Sequence, residues 1–164
     1  MRILGISGSL QRNSGNAMLL EVAAASLPAG VTLQIFDGIR ALPPFDPDIE
    51  RAGGAPAPVA ALRQAIAESD ALLIASPEYG HSLPGSLKNA IDWLIGSGEL
   101  ESKLVAITAA VPAKERGQRG LNALRDTLGA VSARIVGGEP IARGPRFENE
   151  VAQLVAELVK SAPT

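Results

Sequence analysis

Five short apolar runs punctuate the chain: Ile3–Ile6, Val31–Phe36, Ala71–Ala75, Leu104–Ala109 and Ala133–Val136. All except Val31–Phe36 are nearly continuous, as expected of strands buried on both faces. Between and after them, apolar residues recur at helical spacing. Ala17–Leu27 is rich in Ala and Leu and stops at Pro28 and Gly30. Val59, Leu62 and Ile66 mark one face of a second helix, and Leu87, Ile91, Leu94 and Ile95 mark a third, ended by Gly96 and Gly98. Leu121, Leu124 and Leu128 mark a fourth, ended by Gly129. The cleanest stripe is Phe147, Val151, Leu154, Val155, Leu158 and Val159, opposite Glu150, Gln153 and Glu157. Strand and helix alternate five times. That predicts an α/β fold, a doubly wound five-stranded parallel sheet with helices on both faces.

The pattern fits one domain, 1–164, with no internal repeat and no linker. One segment breaks the alternation. Gly38 to Pro58 is rich in Pro and Gly and is long for a connection in a compact domain. It is either a functional loop or a surface excursion.

Two loops carry the candidate chemistry. Between the first strand and Ala17 lie Ser7, Ser9, Ser14 and Asn16, with backbone N–H groups at a helix start. The first N–H groups of a helix lack partners and its dipole is positive there, so such a loop suits a phosphate. The same residues also suit a plain helix cap. The loop lacks Gly-Lys-Ser/Thr, so it is not the nucleotide-triphosphate P-loop. It also lacks the G-x-S-x-G nucleophile elbow. After the third strand comes Ser76 to Gly85, stiffened by Pro77 and Pro84 and holding the chain's only Tyr and only His, Tyr79 and His81. A lone Tyr in a loop favours a planar ligand, although it would also serve to cover a sheet edge. With strand order 2-1-3-4-5, both loops flank one crevice at the point where the chain leaves neighbouring strands in opposite directions.

Composition narrows the function. Hydrophobic residues make up 46% and charged residues 20%, which describes a globular chain. A net charge of −2 argues against a nucleic-acid or anionic-membrane partner. The absence of Cys excludes thiol catalysis and Cys-ligated metals, and one His with no dense carboxylate cluster argues against any metal site. No signal-peptide pattern and no apolar run of spanning length is present, so a cytoplasmic protein is expected.

Gly8-Ser9-Leu10-Gln11-Arg12-Asn13-Ser14-Gly15-Asn16 resembles the Gly-Ser-Leu-Arg-x-x-Ser-x-Asn loop of the NADPH-dependent FMN reductase family. The stretch from Pro77 to Trp93 resembles that family's longer signature, Pro-Glu-Tyr-x-x-Ser-x-Pro-Gly-x-Leu-Lys-Asn-Ala-Ile-Asp-Trp. Leu42 to Asp48 is similar to its Pro-rich connecting loop. The resemblance runs in order from Ile3 to about Leu128. It implies a flavodoxin-like fold, bound FMN, and two-electron reduction of quinones, azo dyes, metal oxyanions or free flavin by NADPH or NADH. It also implies a homodimer or homotetramer. By position, Ser9, Gln11, Ser14 and Asn16 would hold the phosphate, and Pro77, Glu78, Tyr79 and Gly80 would line the flavin ring. Arg12, Gly15, His81, Ser82 and Ala110 complete the candidate cofactor-binding set; no catalytic side chain is assigned.

This chain departs from the motif at three places. Gln11 stands where the family usually has Arg, with Arg12 as a substitute charge. Gly80 replaces a frequent Asn. Ala109-Ala110-Val111-Pro112 stands where the family often has Ser and a Gly-rich run. Trp93 lies well off the Leu87/Ile91 face, which points to a second apolar face meeting another subunit or to the edge of the core. Lys88 and Asp92 read as an ordinary surface pair, and His81 as a hydrogen-bonding loop residue. The alternatives to an enzyme are a one-electron flavodoxin-type carrier, for which −2 is mildly charged, and a flavin-free α/β binding module.

Overall fold

The computed structural model describes residues 1–163. Five parallel strands form one sheet in the order β2-β1-β3-β4-β5: β1 (Arg2–Ser7), β2 (Thr32–Phe36), β3 (Ala71–Ala75), β4 (Leu104–Val111) and β5 (Arg134–Ala142). Side chains alternate across a strand, so each strand serves two cores. Leu4, Ile6, Leu72, Ile74, Val105 and Ile107 pack on one face. There they meet α3 (Ala57–Ala67), α4 (Gly85–Ile95) and α5 (Gln118–Ala130). Ile3, Ala71, Leu73, Ala75, Leu104 and Ala106 pack on the other, against α1 (Gly15–Ala25) and α6 (Phe147–Lys160). This double burial is why the runs of β1, β3 and β4 read as continuous apolar stretches, whereas the run that opens the edge strand β5 is only partly buried.

β5 is longer than its apolar run. It continues past Val136 through Gly137 and Gly138, both at positive φ, and the β4–β5 register shifts between Ile107 and Ala109. The glycines that look like a strand end form an irregularity inside the strand.

The Pro- and Gly-rich excursion is folded. It contains a 3-10 turn (Ile39–Ala41) and α2 (Pro47–Arg51), and it buries Ile39 and Leu42. Two α4 residues one turn apart hold it down. Pro43 O accepts from Asn89 Nδ2 and from Trp93 Nε1, each at 2.9 Å. Asn89 Oδ1 accepts from Phe45 N at 2.7 Å, and the Phe45 ring meets Trp93 edge-on with centroids 5.0 Å apart. Arg63 of α3 adds bonds to Glu50 of α2 and to Trp93 O, both 2.6 Å. Trp93 is therefore fully buried inside its own chain. It is not the start of a subunit interface, because the excursion folds back over the face that helical periodicity left uncovered.

Replacing Asn89 with Ala strands the Phe45 N–H and removes one donor from Pro43 O. The expected loss is about 1–3 kcal/mol of stability, read as a lower urea midpoint with an unchanged slope.

Candidate cofactor site

At the end of β1 the chain turns beside β3. Gly8 N donates to Ala75 O at 2.8 Å. A methyl group on Gly8 would lie 3.1 Å from both Ser76 Oγ and Leu87 Cδ2 and 3.3 Å from Ser76 Cα, so a larger residue would have to push these neighbours back by a few tenths of an ångström. Ser7 Oγ accepts from Ser9 N, and Ser9 Oγ accepts from Gln11 N, each at 3.2 Å. Ser14 caps α1, its buried Oγ accepting from Ala17 N at 3.0 Å. The N–H groups of Gly15 and Asn16, the first two of α1, have no intrahelical partner, and the first turn holds no acidic residue. Asn16 is buried. Its Oδ1 accepts from Ala110 N at 2.9 Å, while its Nδ2 has no acceptor among the described residues. This is the donor set an anion requires: hydroxyls, free amides, a positive helix end and no acid.

The loop after β3 is a tight two-residue hairpin. Tyr79 and Ser82 exchange backbone bonds of 2.9 and 3.0 Å, and Gly80 (φ 56°) and His81 (φ 63°) fill the centre. Positive φ at both central residues is the signature of primed turns. Tyr79 stands 54% exposed, so it does not cover the sheet edge.

Glu78 joins this loop to α5. The α5 N-cap is Gly117, at φ 91°, with no side chain to cap the helix. Glu78 supplies the cap from outside, Oε2 accepting from Gly120 N at 3.0 Å. Gly120 permits the contact: a methyl there would lie 3.0 Å from Glu78 Cα and Cβ and 3.1 Å from Ser82 O. His81 Nδ1 lies 3.3 Å from Glu78 Oε1. The Gly120 amide chiefly holds the Glu78 carboxyl below the usual carboxylate range; partial burial opposes it and His81 assists.

The sequence-predicted residues line two concavities. Pro77, Glu78, His81 and Ala110 line a crevice of about 630 Å³ with Val111, Pro112 and the Glu115–Arg119 stretch, within the usual span for small-molecule sites. Ser9, Gln11 and Arg12 line a second of about 300 Å³, facing the end of β2 with Glu21, Asp37 and Arg40. Ser14, Gly15 and Asn16 lie at the corner between them, Gly15 and Asn16 against Ala110. Arg40, which donates to Leu10 O from the excursion, and Gly120 escaped the sequence reading. Gly120 was visible only as a glycine after strand 4.

A doubly wound sheet of this order, with its concave site where the strand order reverses, defines the flavodoxin-like class. The model of the NADPH-dependent FMN reductase family matches residues 1–160, and the chain belongs to that family. It is 31% identical over 161 residues to the quinone reductase of Escherichia coli K12, covering 97% of this chain and 85% of that protein. It is 38% identical over 130 residues to an NAD(P)H-dependent FMN reductase of Pseudomonas aeruginosa, covering 78% and 69%. In fold it is similar to the NAD(P)H:(acceptor) oxidoreductase FerB of Paracoccus denitrificans, with TM-score 0.84, 24% identity and 99% of each chain covered. Oxidised flavodoxin 1 of Bacillus cereus shares the fold at TM-score 0.71 and 15% identity, over 99% of this chain and 100% of that one. The protein is an oxidoreductase that works with FMN and a reduced nicotinamide nucleotide. The residues present fit FMN: the acid-free start of α1, with the Asn16 Nδ2 donor free, suits its phosphate, and the crevice suits a flat ring.

Glu78→Gln should lower stability at neutral pH by weakening the α5 cap. Because folding lowers the Glu78 pKa, its contribution is full above the ordinary glutamate value of about 4.3 and is lost as pH falls through the folded value. Urea melts from pH 7 into the acid range should therefore fall less steeply for Glu78→Gln than for the parent.

Proposed function

We propose that this chain is a single FMN-binding domain that reduces quinones with NADPH or NADH, by two-electron transfer and ping-pong turnover. Azo dyes, metal oxyanions and free flavin belong to the same acceptor range. The observation that carries the reading is the crevice between the Tyr79–Ser82 turn and the start of α5, with exposed Tyr79 and His81 beside it. The similarity to the quinone reductase of E. coli supports the choice of acceptor.

Ser9, Ser14, Gly15 and Asn16 would bind the phosphate end, with Gln11 and Arg12 beside them. Pro77, Glu78, Tyr79, Gly80, His81, Ser82 and Ala110 would orient the ring. When bound, FMN would supply the redox chemistry, two-electron transfer between the reduced nicotinamide nucleotide and the acceptor. The chain's task is placement. Glu78 and Gly120 lock the crevice wall, and the hairpin holds Tyr79 and His81 beside it. No protein acid or base is assigned. An open crevice used in turn by both substrates discriminates weakly, since strong selection needs buried polar partners that a wrong substrate leaves unpaired. This reading implies the cytoplasm, where reduced nicotinamide nucleotides are maintained. No helix among the described residues is long and apolar enough to cross a membrane.

A homodimer or homotetramer built on the excursion and α4 is part of the proposal. Ile49 on α2 and Ile95 at the end of α4 are large apolar residues exposed on those elements, 39% and 57%. Sedimentation should show a dimer or larger. A stable monomer with full flavin and full activity removes this part.

Steady-state rates with NADPH and a benzoquinone both varied should give parallel double-reciprocal lines. Intersecting lines would mean two separate pockets. No turnover by FMN-loaded protein with either nicotinamide nucleotide would favour a one-electron carrier.

A further inference from the structure

Arg143 lies just after β5, in the turn leading to α6. Its backbone N–H donates to Val111 O, at the end of β4, at 2.9 Å. Its side chain reaches the first residue of α1: a methyl group on Gly15 would lie 3.4 Å from Arg143 Cδ and 3.7 Å from its Nε. Among the described residues the guanidinium forms no ion pair; Glu150, in the first turn of α6, is paired with Lys114 and Arg146 instead.

A cation beside the positive end of a helix is electrostatically unfavourable. Here the first turn of α1 carries no acid to offset it. The buried Asn16 side chain at the same corner also has an Nδ2 donor without an acceptor. The exposed Arg143 guanidinium, the acid-free start of α1 and the Asn16 Nδ2 donor lie at one corner, and an anion placed there would meet all three. Two other candidates fit less well. Gln11 is neutral. Arg12 lines the concavity on the β2 side, where it shares the lining with two acids, Glu21 and Asp37.

We infer that Arg143 neutralises the FMN phosphate, clamping it from the β5–α6 turn against the start of α1. The inference rests on the FMN reading and adds to it the residue that supplies the charge. A guanidinium presents a planar fork of donors matched to phosphate oxygens. Its long apolar stem lies along Gly15, where a larger residue would crowd it.

The test is fluorescence titration of apoprotein with FMN and with riboflavin, which has the same ring and no phosphate. Arg143→Ala should weaken FMN about ten- to a hundredfold, the loss of one hydrogen bond to a charged group, and leave riboflavin binding unchanged. Arg143→Lys should recover part of the loss. Added salt should weaken FMN binding less in Arg143→Ala than in the parent. Arg12→Ala should have a clearly smaller effect on FMN. An unchanged thermal midpoint for Arg143→Ala apoprotein shows that the fold is intact. Equal losses for FMN and riboflavin, no loss for either, or a larger effect from Arg12→Ala would overturn the assignment. Parent protein that binds no flavin would overturn the FMN reading itself, and this is seen before any variant is made.

Discussion

The hydrogen bond from Ala110 N to Asn16 Oδ1 spans 94 residues and sets the geometry of the site. It bolts the first turn of α1 to the end of β4, a strand two places along the sheet from β1. Apolar packing seats the body of α1 on the sheet and on α6, and this bond adds a directed tie at its first turn. With it, that end sits at the rim of the crevice formed by the loops after β3 and β4. Asn16 is thus a structural acceptor through one atom and leaves the other as a donor. The Gly8–Ala75 bond and the contact of Gly120 with Glu78 close the remaining gaps between loops.

Most of the frame was legible in the sequence because it is local. The apolar runs gave the strands, helical spacing gave the helices, and strand–helix alternation gave the doubly wound order. The errors arose where a distant segment decides. Trp93 looked unpartnered because its partners, Pro43 and Phe45, lie in a segment with no regular pattern. β5 looked short because Gly137 and Gly138 resemble a stop. Glu78 lines the crevice to which its motif points, and the feature its motif could not show is the bond from its carboxylate to an amide 42 residues away. Arg143 carries no local signal, since only the fold brings it to Gly15.

The hairpin explains one departure from the family pattern. Gly80 stands where Asn is frequent, at φ 56° with open space around it. Glycine takes this conformation freely, and Asn is the side chain that tolerates it best. The two residues are interchangeable as backbone, so the turn survives the replacement and what is lost is a side-chain contact. His81, next in the turn, adopts the same sense of φ, and its ring lies near Glu78.

Trp93 is the chain's only tryptophan, and its indole N–H is spent on one carbonyl, Pro43. Intrinsic emission excited in the indole band therefore reports on a single joint, the seat of the excursion on α4. Loosening of that seat would admit water to the indole and shift the emission to longer wavelength. The molecule carries a built-in optical gauge, positioned to distinguish undocking of one segment from unfolding of the whole.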